Sequence, residues 1–404
     1  MATAIDETAT SLPSRDAPSA SQAAAVARLP DNTGATWVAE TNRIDPAVYT
    51  SPEHFAEEQR LLFRRLPVPM VPSALLKPGH YVARDGYGVP VIISRDKHGQ
   101  VHAMINACRH RGSRLVRNED PAKAPMMVCD YHAWSYDLSG DLKAIPRSDV
   151  FGPMDKCKLG LRRLPCAELG GIVYIKLDPN ADDDFSHVDT EVQDDFKALG
   201  IADMYMFGHR RHEVAGNWKL ILDTFLEGYH VIRLHVNSLG SMFEDMTTVV
   251  DRLGNFLRQT SGRLGFKAAD AQAQMETLHG IRSLCTFVYT LVPNAALIVS
   301  PDYVSLLVLQ PQAHNKTVVD EYQLTDYDPQ GVGIVKKWNK SWTLTGKAFP
   351  EDFWAAAECQ VGLSSGGVPD VWIGGFEAGM QPFHTLIAEL MDEGRALEGA
   401  SADV

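Results

Sequence analysis

The sequence predicts an α+β protein, in which an all-β domain precedes a domain that mixes strands and helices. Short apolar runs broken by Gly, Pro and Asp fill residues 67–179. Strand-length apolar segments recur between residues 284 and 325. Helical patterns stand before and after these later segments, at residues 218–235, 350–362 and 381–397. Strands bracketed by helices are typical of an α+β domain.

Composition divides the chain into three parts. Residues 1–40 are mostly Ala, Ser, Thr, Asp and Pro, so we expect a disordered tail. A first domain is predicted over 41–185 and includes an amphipathic helix near 52–65. The acidic stretch 178–184 is predicted to be a solvated linker to a second domain, 186–404.

Charge and cysteine content exclude several classes of protein. The chain has 38 Lys and Arg against 51 Asp and Glu, a net charge of −13, so nucleic-acid binding is not expected. Residues 285–309 are nearly uncharged, but Pro293, Pro301 and Asp302 favour buried strands over a membrane span. Six cysteines in 404 residues do not indicate a disulfide scaffold, and the sequence begins without a signal-peptide pattern. We therefore predict a soluble, cytoplasmic protein that binds no membrane.

Two cysteine–histidine pairs form the first candidate site. Cys108 and His110 stand in CRHRG, and after 18 intervening residues Cys129 and His132 stand in CDYHAW. Thiolates and imidazoles are the ligands of structural zinc, and also of two-iron, two-sulfide clusters that carry one electron. The residue types leave both kinds of site open.

The surroundings of these pairs resemble the two ligand loops of Rieske iron–sulfur domains, including the Trp134, Tyr136 and Gly140 pattern. The resemblance implies a [2Fe–2S] cluster with both cysteines on one iron and both histidines on the other. Neutral imidazoles raise the reduction potential of such a cluster, which makes it a usable electron carrier. Gly112 is expected to let the backbone approach the cluster and donate N–H groups to its sulfurs.

A histidine pair with nearby carboxylates forms the second candidate site. In the predicted helix 218–235, Glu227 and His230 are three residues apart and so share a face. His230 and His235 are five apart, which in a regular helix separates them by about 140°. For both to bind one metal ion, the helix must end or bulge between them. Two imidazoles and one carboxylate are the ligands of non-haem Fe(II) oxygenases, although a lone helical histidine is more often a core residue.

This stretch resembles the NWK…E-x-x-H-x-x-x-x-H signature of the catalytic domain in Rieske oxygenase α subunits. The resemblance implies an antiparallel sheet flanked by helices, of the helix-grip type, and an iron ion held by His230, His235 and Asp352. Asp352 stands in an E-D-x-x-x…Q-x-G pattern, with Glu351 and Glu358 as the other candidate ligands. The alternative for Asp352 is an acid that stabilises a helix N-terminus.

Two further acids are candidates for catalytic roles. In the resembling family, the carboxylate at the position of Glu227 bridges the metal centres, by accepting hydrogen bonds from a neighbouring subunit's cluster histidine and from an iron ligand. Many members have Asp there, and the alternative for Glu227 is an exposed helical acid. Asp223 lies one helical turn earlier, where it either faces the cavity near the iron or covers the helix surface.

The resemblance implies the terminal component of an oxygenase that forms a homotrimer. Electrons from NAD(P)H are expected to arrive through a separate reductase, with or without a ferredoxin, because the chain has no nucleotide-binding glycine motif. The Fe(II) ion would then use O2 to hydroxylate, cis-dihydroxylate or oxidatively demethylate a small hydrophobic or aromatic molecule, as in aromatic hydrocarbon catabolism.

The substrate pocket and the class of protein leave alternatives. Apolar residues of the strands at 285–309 are expected to lie mostly in the hydrophobic core, and every second one along a strand is a candidate for lining an apolar pocket over the iron. These residues are Phe287, Tyr289, Leu291, Leu297, Ile298, Leu306 and Val308. A quaternary-ammonium substrate is the alternative, and it would need an aromatic cage. From other classes, a Rieske electron carrier without catalytic iron and a zinc-stabilised scaffold also remain.

Overall fold

The computed structural model describes residues 17–31, 41–245, 248–329 and 335–402. Its helices are α1 (Ala20–Val26), α2 (Ala47–Thr50), α3 (Pro52–Glu58), α4 (Val192–Leu199), α5 (Trp218–Thr224), α6 (Val231–Leu234), α7 (Ala268–Gln274), α8 (Leu278–Leu284), α9 (Val335–Ser364) and α10 (Met380–Ala402). A π-helical turn, Gln59–Phe63, continues α3, so the helix predicted near 52–65 is present in two forms.

The strands fall into a group of short strands and a group of longer ones. The first group is β1 (Asn42–Ile44), β2 (Val68–Pro72), β3 (His80–Arg84), β4 (Val91–Arg95), β5 (Val101–Ile105), β6 (Ala122–Lys123), β7 (Met126–Val128), β8 (Ser135–Asp137), β9 (Leu142–Ala144), β10 (Arg163–Leu164), β11 (Cys166–Leu169) and β12 (Ile172–Ile175). The second is β13 (Tyr205–Val214), β14 (Val249–Leu253), β15 (Phe256–Gly262), β16 (Cys285–Leu291), β17 (Ala295–Val299), β18 (Val304–Ala313), β19 (Lys316–Thr325) and β20 (Val371–Ile373).

Three small antiparallel sheets build the first half of the chain. Their strand orders are β10-β5-β4-β3-β6, β11-β12-β2 and β7-β8-β9. The first cysteine–histidine pair follows β5, and the second lies in the turn between β7 and β8. Two different sheets therefore present the two motif-bearing turns.

One seven-stranded antiparallel sheet, in the order β13-β19-β18-β17-β16-β15-β14, forms the centre of the second half. Strands β13 and β14 are its two edges, although they are neighbours in sequence. The chain between them, 215–248, must therefore cross the sheet from one edge to the other, and this crossing carries α5 and α6. Helix α9 packs against α5 and β13. This arrangement confirms the predicted α+β class with an antiparallel sheet and flanking helices.

The segment before β2, which was predicted to belong to the first domain, packs mainly with the second half of the chain, although Phe63 also contacts Tyr87 of the first half, with ring centroids 5.5 Å apart. Strand β1 pairs antiparallel with β20. Helix α2 contacts α9, and the π turn contacts α10. The reason is buried polar contact as well as apolar packing: Glu58 in α3 forms an ion pair with Lys219 in α5, and both side chains are almost fully buried.

The predicted disordered tail is wrong for residues 17–31. Ser19 caps α1, and Gln22, which is fully buried, donates to the Tyr289 hydroxyl at 2.9 Å. Arg258 donates to the Ser21 carbonyl oxygen at 2.9 Å and to Asp195 at 2.6 Å. Buried polar partners order this small-residue segment where apolar bulk is lacking. The rest of the predicted tail lies outside the described residues.

The nearly uncharged stretch 285–309 forms β16, β17 and the start of β18, as the sequence indicates. Every described helix is too short or too polar to cross a lipid bilayer. The two late helical patterns correspond to α9 and α10, but α9 begins at least 15 residues before the predicted start at 350. Pro350 lies inside α9, so the proline does not begin the helix.

Candidate metal centres and cavity

The two cysteine–histidine turns have the same backbone geometry. In the first, Cys108 N donates to Ser113 O and Gly112 N donates to Cys108 O, both at 2.8 Å. In the second, Cys129 N donates to Trp134 O at 2.9 Å and Ala133 N donates to Cys129 O at 2.8 Å. Each turn therefore closes over the four residues that follow its cysteine.

The fourth residue of each turn has a positive φ, +76° at Gly112 and +57° at Ala133. Gly112 is thus favoured by the left-handed backbone of the turn. Cys108 O accepts the N–H of Gly112 itself, so an N–H donated to a cluster sulfur would come from another residue of the turn.

The four side chains form a buried sulfur pair and a more exposed imidazole pair. Cys108 and Cys129 are 4% and 2% exposed, and neither forms a disulfide. The two Nδ1 atoms of His110 and His132 are 3.1 Å apart, and His132 is exposed. The Tyr136 hydroxyl lies 3.4 Å from Cys108 Sγ. Thiols on the inside and imidazoles toward solvent fit a cluster with two distinct iron atoms.

A single tetrahedral zinc ion fits these residues poorly. Zinc brings all four ligand atoms within about 4 Å of one another, given bond lengths of about 2.0–2.3 Å. Among the described residues, the only set of three or more His, Cys, Asp or Glu ligand atoms that lie within 4.8 Å of one another is elsewhere in the chain. The donor set is therefore suited to a group larger than one ion.

That compact set consists of His230, His235 and Asp352, which we call the triad. Asp352 Oδ1 lies 3.3 Å from His230 Nε2 and 3.0 Å from His235 Nε2. The two imidazole rings are inclined at 70° with centroids 5.1 Å apart. The structure thus brings together the three residues that the sequence singles out as metal ligands.

The triad is arranged to hold a cation. Asp352 is 3% exposed, yet its Oδ1 atom makes no hydrogen bond of acceptable geometry. A buried carboxylate oxygen without a donor is costly, and a metal ion between the three side chains would satisfy it. Two imidazoles and one carboxylate fit an iron ion with open coordination positions.

A break in the predicted helix makes the triad possible. Helix α5 ends at Thr224, before both histidines, and α6 spans only Val231–Leu234, with His235 at its end. The sequence predicts that the helix is interrupted between the two histidines, whereas the main break in the helix precedes His230. The segment around Gly228 is held by backbone bonds, from Gly228 N to Phe376 O and from Gly379 N to Leu226 O, at 3.0 and 3.1 Å. A Cβ atom on Gly379 would lie 2.4 Å from Leu226 O, so glycine is needed there.

Each triad histidine is held from behind by a carboxylate. Glu227 contacts His230 Nδ1 and accepts from the His230 backbone N–H at 3.1 Å. Glu351 Oε2 accepts from His235 Nδ1 at 2.6 Å and from the Ser238 hydroxyl at 2.5 Å. In both rings, therefore, Nδ1 is occupied and Nε2 faces Asp352.

These contacts distinguish the neighbouring acids from the triad. Glu351 supports His235 and is not a member of the triad, while Glu358 is exposed on the outer face of α9. Glu227 is half-buried on His230, so it is not an exposed helical acid.

The electrostatics of the triad favour positive charge. Burial alone would lower the pKa of His230, but the carboxylates of Asp352 and Glu227 outweigh burial and raise that pKa to about 10. For Asp352, burial would raise the pKa, and the two histidines lower it instead. Carboxylates surrounding two imidazoles attract a cation, whether a proton or a metal ion.

Asp223 occupies neither of the positions expected for it. It is 6% exposed, accepts from the Tyr49 hydroxyl at 2.7 Å and lies 3.0 Å from His384 Nε2. It is absent from the residues that line the cavity beside the triad. Asp223 therefore joins α5 to α2 and α10 from behind, because the rotation of the short helix turns it away from both the cavity and solvent.

The NWK motif positions α5. Asn217 caps the helix by accepting from Lys219 N at 2.9 Å, and its own N–H donates to Gln360 in α9 at 2.8 Å. Trp218 donates its indole N–H to Glu58 at 2.8 Å, and Lys219 pairs with the same carboxylate. These buried bonds connect the helix before the triad to the elements that surround it. No sequence signal marks Glu58, because a single acid in an amphipathic helix usually faces solvent.

A cavity of about 380 Å³ opens beside the triad and is walled by the seven-stranded sheet. One row of cavity-lining residues runs straight across β15–β18 through Gln259, Val288, Ile298 and Ser305, each the cross-strand partner of the next. Aromatic side chains also line the cavity, namely Phe225, Phe243, Tyr303 and Phe349.

Of the predicted pocket residues, only Ile298 lines this cavity. The other six side chains are fully buried in the core and do not border the cavity: Phe287, Tyr289, Leu291, Leu297, Leu306 and Val308. Both faces of the sheet are covered, so hydrophobicity did not reveal which face borders the cavity. The lining also includes Arg263, for which the sequence offers no signal.

Two family models match the chain over the regions described above. The model of the Rieske [2Fe–2S] domain matches residues 67–160, and the model of the ring-hydroxylating α subunit catalytic domain matches residues 201–393. The chain belongs to the Rieske oxygenase α-subunit family. Its cofactors are accordingly a [2Fe–2S] cluster and a mononuclear non-haem iron ion, as the sequence predicts.

Relatives of this α subunit include both aromatic and quaternary-ammonium oxygenases. It is 32% identical over 208 residues to the large subunit of anthranilate 1,2-dioxygenase from Acinetobacter baylyi, covering 50% of this chain and 44% of that one. It is 24% identical over 366 residues to the α subunit of 2-aminobenzenesulfonate 2,3-dioxygenase from an Alcaligenes species, covering 85% and 90% of the two chains. It is also 30% identical over 188 residues to the oxygenase subunit of carnitine monooxygenase from Acinetobacter pittii, covering 45% of this chain and 49% of that one. The chain thus spans only about half the length of several curated relatives that it matches.

Solved structures show the same fold. A crystal structure of the quaternary ammonium Rieske monooxygenase CntA superposes with a TM-score of 0.74 at 22% identity, covering 88% of this chain and 96% of that one. Rieske oxygenase α subunits work with separate electron-transfer partners, which agrees with the expectation of a partner protein for this chain.

Proposed function

We propose that this chain is the terminal component of an oxygenase that uses O2 and electrons from NAD(P)H to oxidise a small molecule with an apolar body. The reaction is hydroxylation, cis-dihydroxylation or oxidative demethylation, and the electrons come from a separate reductase, directly or through a ferredoxin. The observation that carries the proposal is the triad, a cation site on the wall of a cavity of about 380 Å³.

We assign the cofactor ligands to the residues that the structure groups. Cys108 and Cys129 bind one iron of the cluster, and His110 and His132 bind the other, in keeping with the buried thiols and exposed imidazoles. His230, His235 and Asp352 bind the mononuclear iron. When bound, the cluster stores one electron and the iron ion activates dioxygen.

The surrounding residues have positioning roles. Glu227 and Glu351 fix the two imidazoles with Nε2 toward Asp352, and a fixed ring orientation strengthens metal binding. The apolar row on β16 and β17, Val288 and Ile298, excludes water from the side of the cavity where a substrate would lie.

We further propose that three copies associate head to tail, so that one subunit's cluster lies beside the next subunit's triad. Exposed apolar side chains near both centres support an interface at each. Tyr131, beside His132, is 58% exposed, and Trp354, two residues after Asp352, is 60% exposed. Two different surfaces that meet head to tail close into a ring when the rotation permits it. The six cysteines are all unpaired, which supports the predicted cytoplasmic location.

Oxidation of a quaternary ammonium compound is the second candidate. Its support is the fold shared with CntA and the presence of four aromatic side chains in the cavity, which are suited to cation–π contacts. A Rieske electron carrier without catalytic iron would leave the triad and its cavity without a role.

The deciding experiment combines metal analysis with turnover. The purified chain should contain about three iron atoms, two of them in the acid-labile cluster, per polypeptide. With a surrogate reductase, NADH and O2, it should deplete a substrate from a mixed panel of aromatic and quaternary-ammonium compounds. His230→Ala should abolish depletion and keep the visible absorption of the cluster. A colourless preparation, or turnover by this variant, would refute the proposal.

A further inference from the structure

Arg263 is a cation on the cavity wall, and none of the acidic side chains that the structure describes forms an ion pair with it. Its guanidinium contacts are to neutral groups: Nη1 donates to the Thr286 hydroxyl at 3.2 Å, and Nη2 lies 3.7 Å from Met242 Sδ. The ring centroid of Phe243 is 5.2 Å from Cζ. In the described part of the chain, no carboxylate oxygen lies within 4.0 Å of this guanidinium, whereas most arginines here have such a neighbour.

The other charged residues of the cavity wall outside the triad and Glu227 have partners of their own. Asp302 pairs with Lys337 at 3.4 Å. Glu244 accepts the Gly265 backbone N–H at 3.0 Å. Arg263 is therefore the cationic group of the described wall with the most unused hydrogen-bonding capacity, because a guanidinium has five N–H donors in a planar fork.

The backbone holds Arg263 in place. It follows the last residue of β15, its N–H donates to Leu284 O at 2.8 Å, and it forms an isolated antiparallel bridge with Phe243. A side chain mounted at the end of a paired strand is presented with little freedom. Burial lowers the pKa of Arg263 in spite of the nearby Tyr303 and Asp302, so desolvation of this cation is not fully offset within the protein.

We propose that Arg263 binds a carboxylate or sulfonate group of the substrate, so that this oxygenase acts on organic anions with an apolar body. A planar oxyanion matches the fork of a guanidinium through two parallel N–H···O bonds. The hydroxyl of Thr286, on the same wall, is a further donor once its lone pair is engaged by Arg263. The apolar remainder of the molecule then lies along Val288 and Ile298, in the cavity that the triad borders.

This inference rests on the proposed function and deepens it. Two aromatic relatives are consistent with it, since their names, anthranilate and 2-aminobenzenesulfonate dioxygenases, denote a carboxylate and a sulfonate. Arg263 would repel a purely cationic substrate. The binding experiment below therefore also tests the quaternary-ammonium alternative.

Binding to the iron-loaded protein tests the inference without turnover. Isothermal titration with benzoate, benzenesulfonate, benzamide and benzyltrimethylammonium compares anionic, neutral and cationic ligands of similar size. We expect at least one of the two anions to bind about tenfold or more tightly than benzamide. Arg263→Gln should remove that preference, and Arg263→Lys should retain part of it. Arg252→Gln, which changes an exposed arginine of β14 paired with Glu389, is the matched control and should behave as the wild type.

Several results would overturn the inference. They are equal or absent binding of the anions by the wild type, tighter binding of the quaternary ammonium ion, or an anion preference that survives in Arg263→Gln. If Arg263→Gln does not fold, as judged by thermal unfolding and cluster absorption, the wild-type panel and Arg263→Lys decide the question. Iron-dependent turnover of neutral compounds with no anion preference would reject this inference alone, whereas an anion preference without any turnover would reject the proposed function alone.

Discussion

His235 donates its Nδ1 proton to Glu351 over 2.6 Å, and this bond directs the opposite ring nitrogen toward Asp352 at 3.0 Å. Adjacent residues of α9 therefore hold one imidazole from two sides. The bond from the Ser238 hydroxyl to the same Glu351 oxygen fixes the carboxylate in turn. The position of His235 thus depends on a carboxylate outside the triad.

Replacing that carboxylate should weaken iron binding. Glu351→Gln keeps the size of the side chain but loses the charge that orients His235, and such outer partners typically change metal affinity by about 10–100-fold. An iron titration that monitors the mononuclear site measures the effect. Glu358→Gln, an exposed acid two turns later on α9, is the matched control. Equal iron affinity in the two variants would contradict the supporting role of Glu351.

Asp352→Asn should empty the mononuclear site while leaving the cluster intact. The variant loses the anionic ligand, so iron should fall from about three to about two atoms per chain, and product formation should cease. Metal analysis, visible absorption and a turnover assay together measure this. Retained turnover at two iron atoms per chain would exclude Asp352 as an iron ligand.

Tyr136→Phe should lower the reduction potential of the cluster. The Tyr136 hydroxyl lies 3.4 Å from Cys108 Sγ and accepts the Arg109 backbone N–H at 3.1 Å. Its own proton is thus available to the sulfur, and a hydrogen bond to a ligating sulfur stabilises the reduced state. Redox titration followed by visible absorption measures the change, with Tyr131→Phe at an exposed position as the control. An unchanged potential would show that the hydroxyl does not donate to the sulfur.

The buried pair of Glu58 and Lys219 should be sensitive to the loss of one partner. The side chains are 0% and 1% exposed, so Lys219→Met leaves an uncompensated carboxylate in the core and should cost about 3–5 kcal/mol of unfolding free energy. Urea unfolding measures this. Lys316→Met removes an exposed pair with Glu213 and should cost only about 0–1 kcal/mol. Adding Glu58→Gln to Lys219→Met should recover part of the loss, and a further loss would contradict the explanation.

Acid should destabilise the fold through His187. Burial, together with Arg65 and Lys176, lowers the pKa of this histidine from 6.5 to about 4. The unfolded chain binds the proton first as the pH falls, so stability should decline between about pH 6.5 and pH 4 and then level off, by on the order of 3 kcal/mol. The unfolding free energy should depend less steeply on pH across this range for His187→Gln than for the wild type. His98→Gln, at an exposed position, should keep the wild-type slope, and identical slopes in all three proteins would contradict the role of His187.

The order of strand-like and helical segments predicted the fold class, and the motifs, through their resemblance to a known family, singled out the residues that the structure groups. The pairs at 108–110 and 129–132, and the histidines at 230 and 235, are local patterns whose chemistry survives any detail of packing. What distinguishes Glu351 from Asp352 is the phase of α9, which depends on where that helix begins and how it packs, so adjacent acids could not be ranked with certainty by pattern alone.

Contacts between residues far apart in the sequence could not be predicted from local patterns either. Asp223 was expected at the cavity or the surface, but its partners Tyr49 and His384 come from segments over 150 residues away. The cavity wall depends on strand register, which turned Val288 rather than Phe287 toward the triad. Within the described ranges, the fold leaves Arg263 without an acidic partner, and no local sequence pattern encodes such an absence.

The docking of α1 has a practical consequence for anyone preparing this enzyme. Its polar start looks like a dispensable leader, yet Ser19 and Gln22 bond to Asp195 and Tyr289, which neighbour Arg258 in the interior. Trimming the gene to begin at β1 would admit water to that arginine and invite aggregation. Affinity tags and cleavage sites should be placed before Ser19, where they leave the packing of α1 undisturbed.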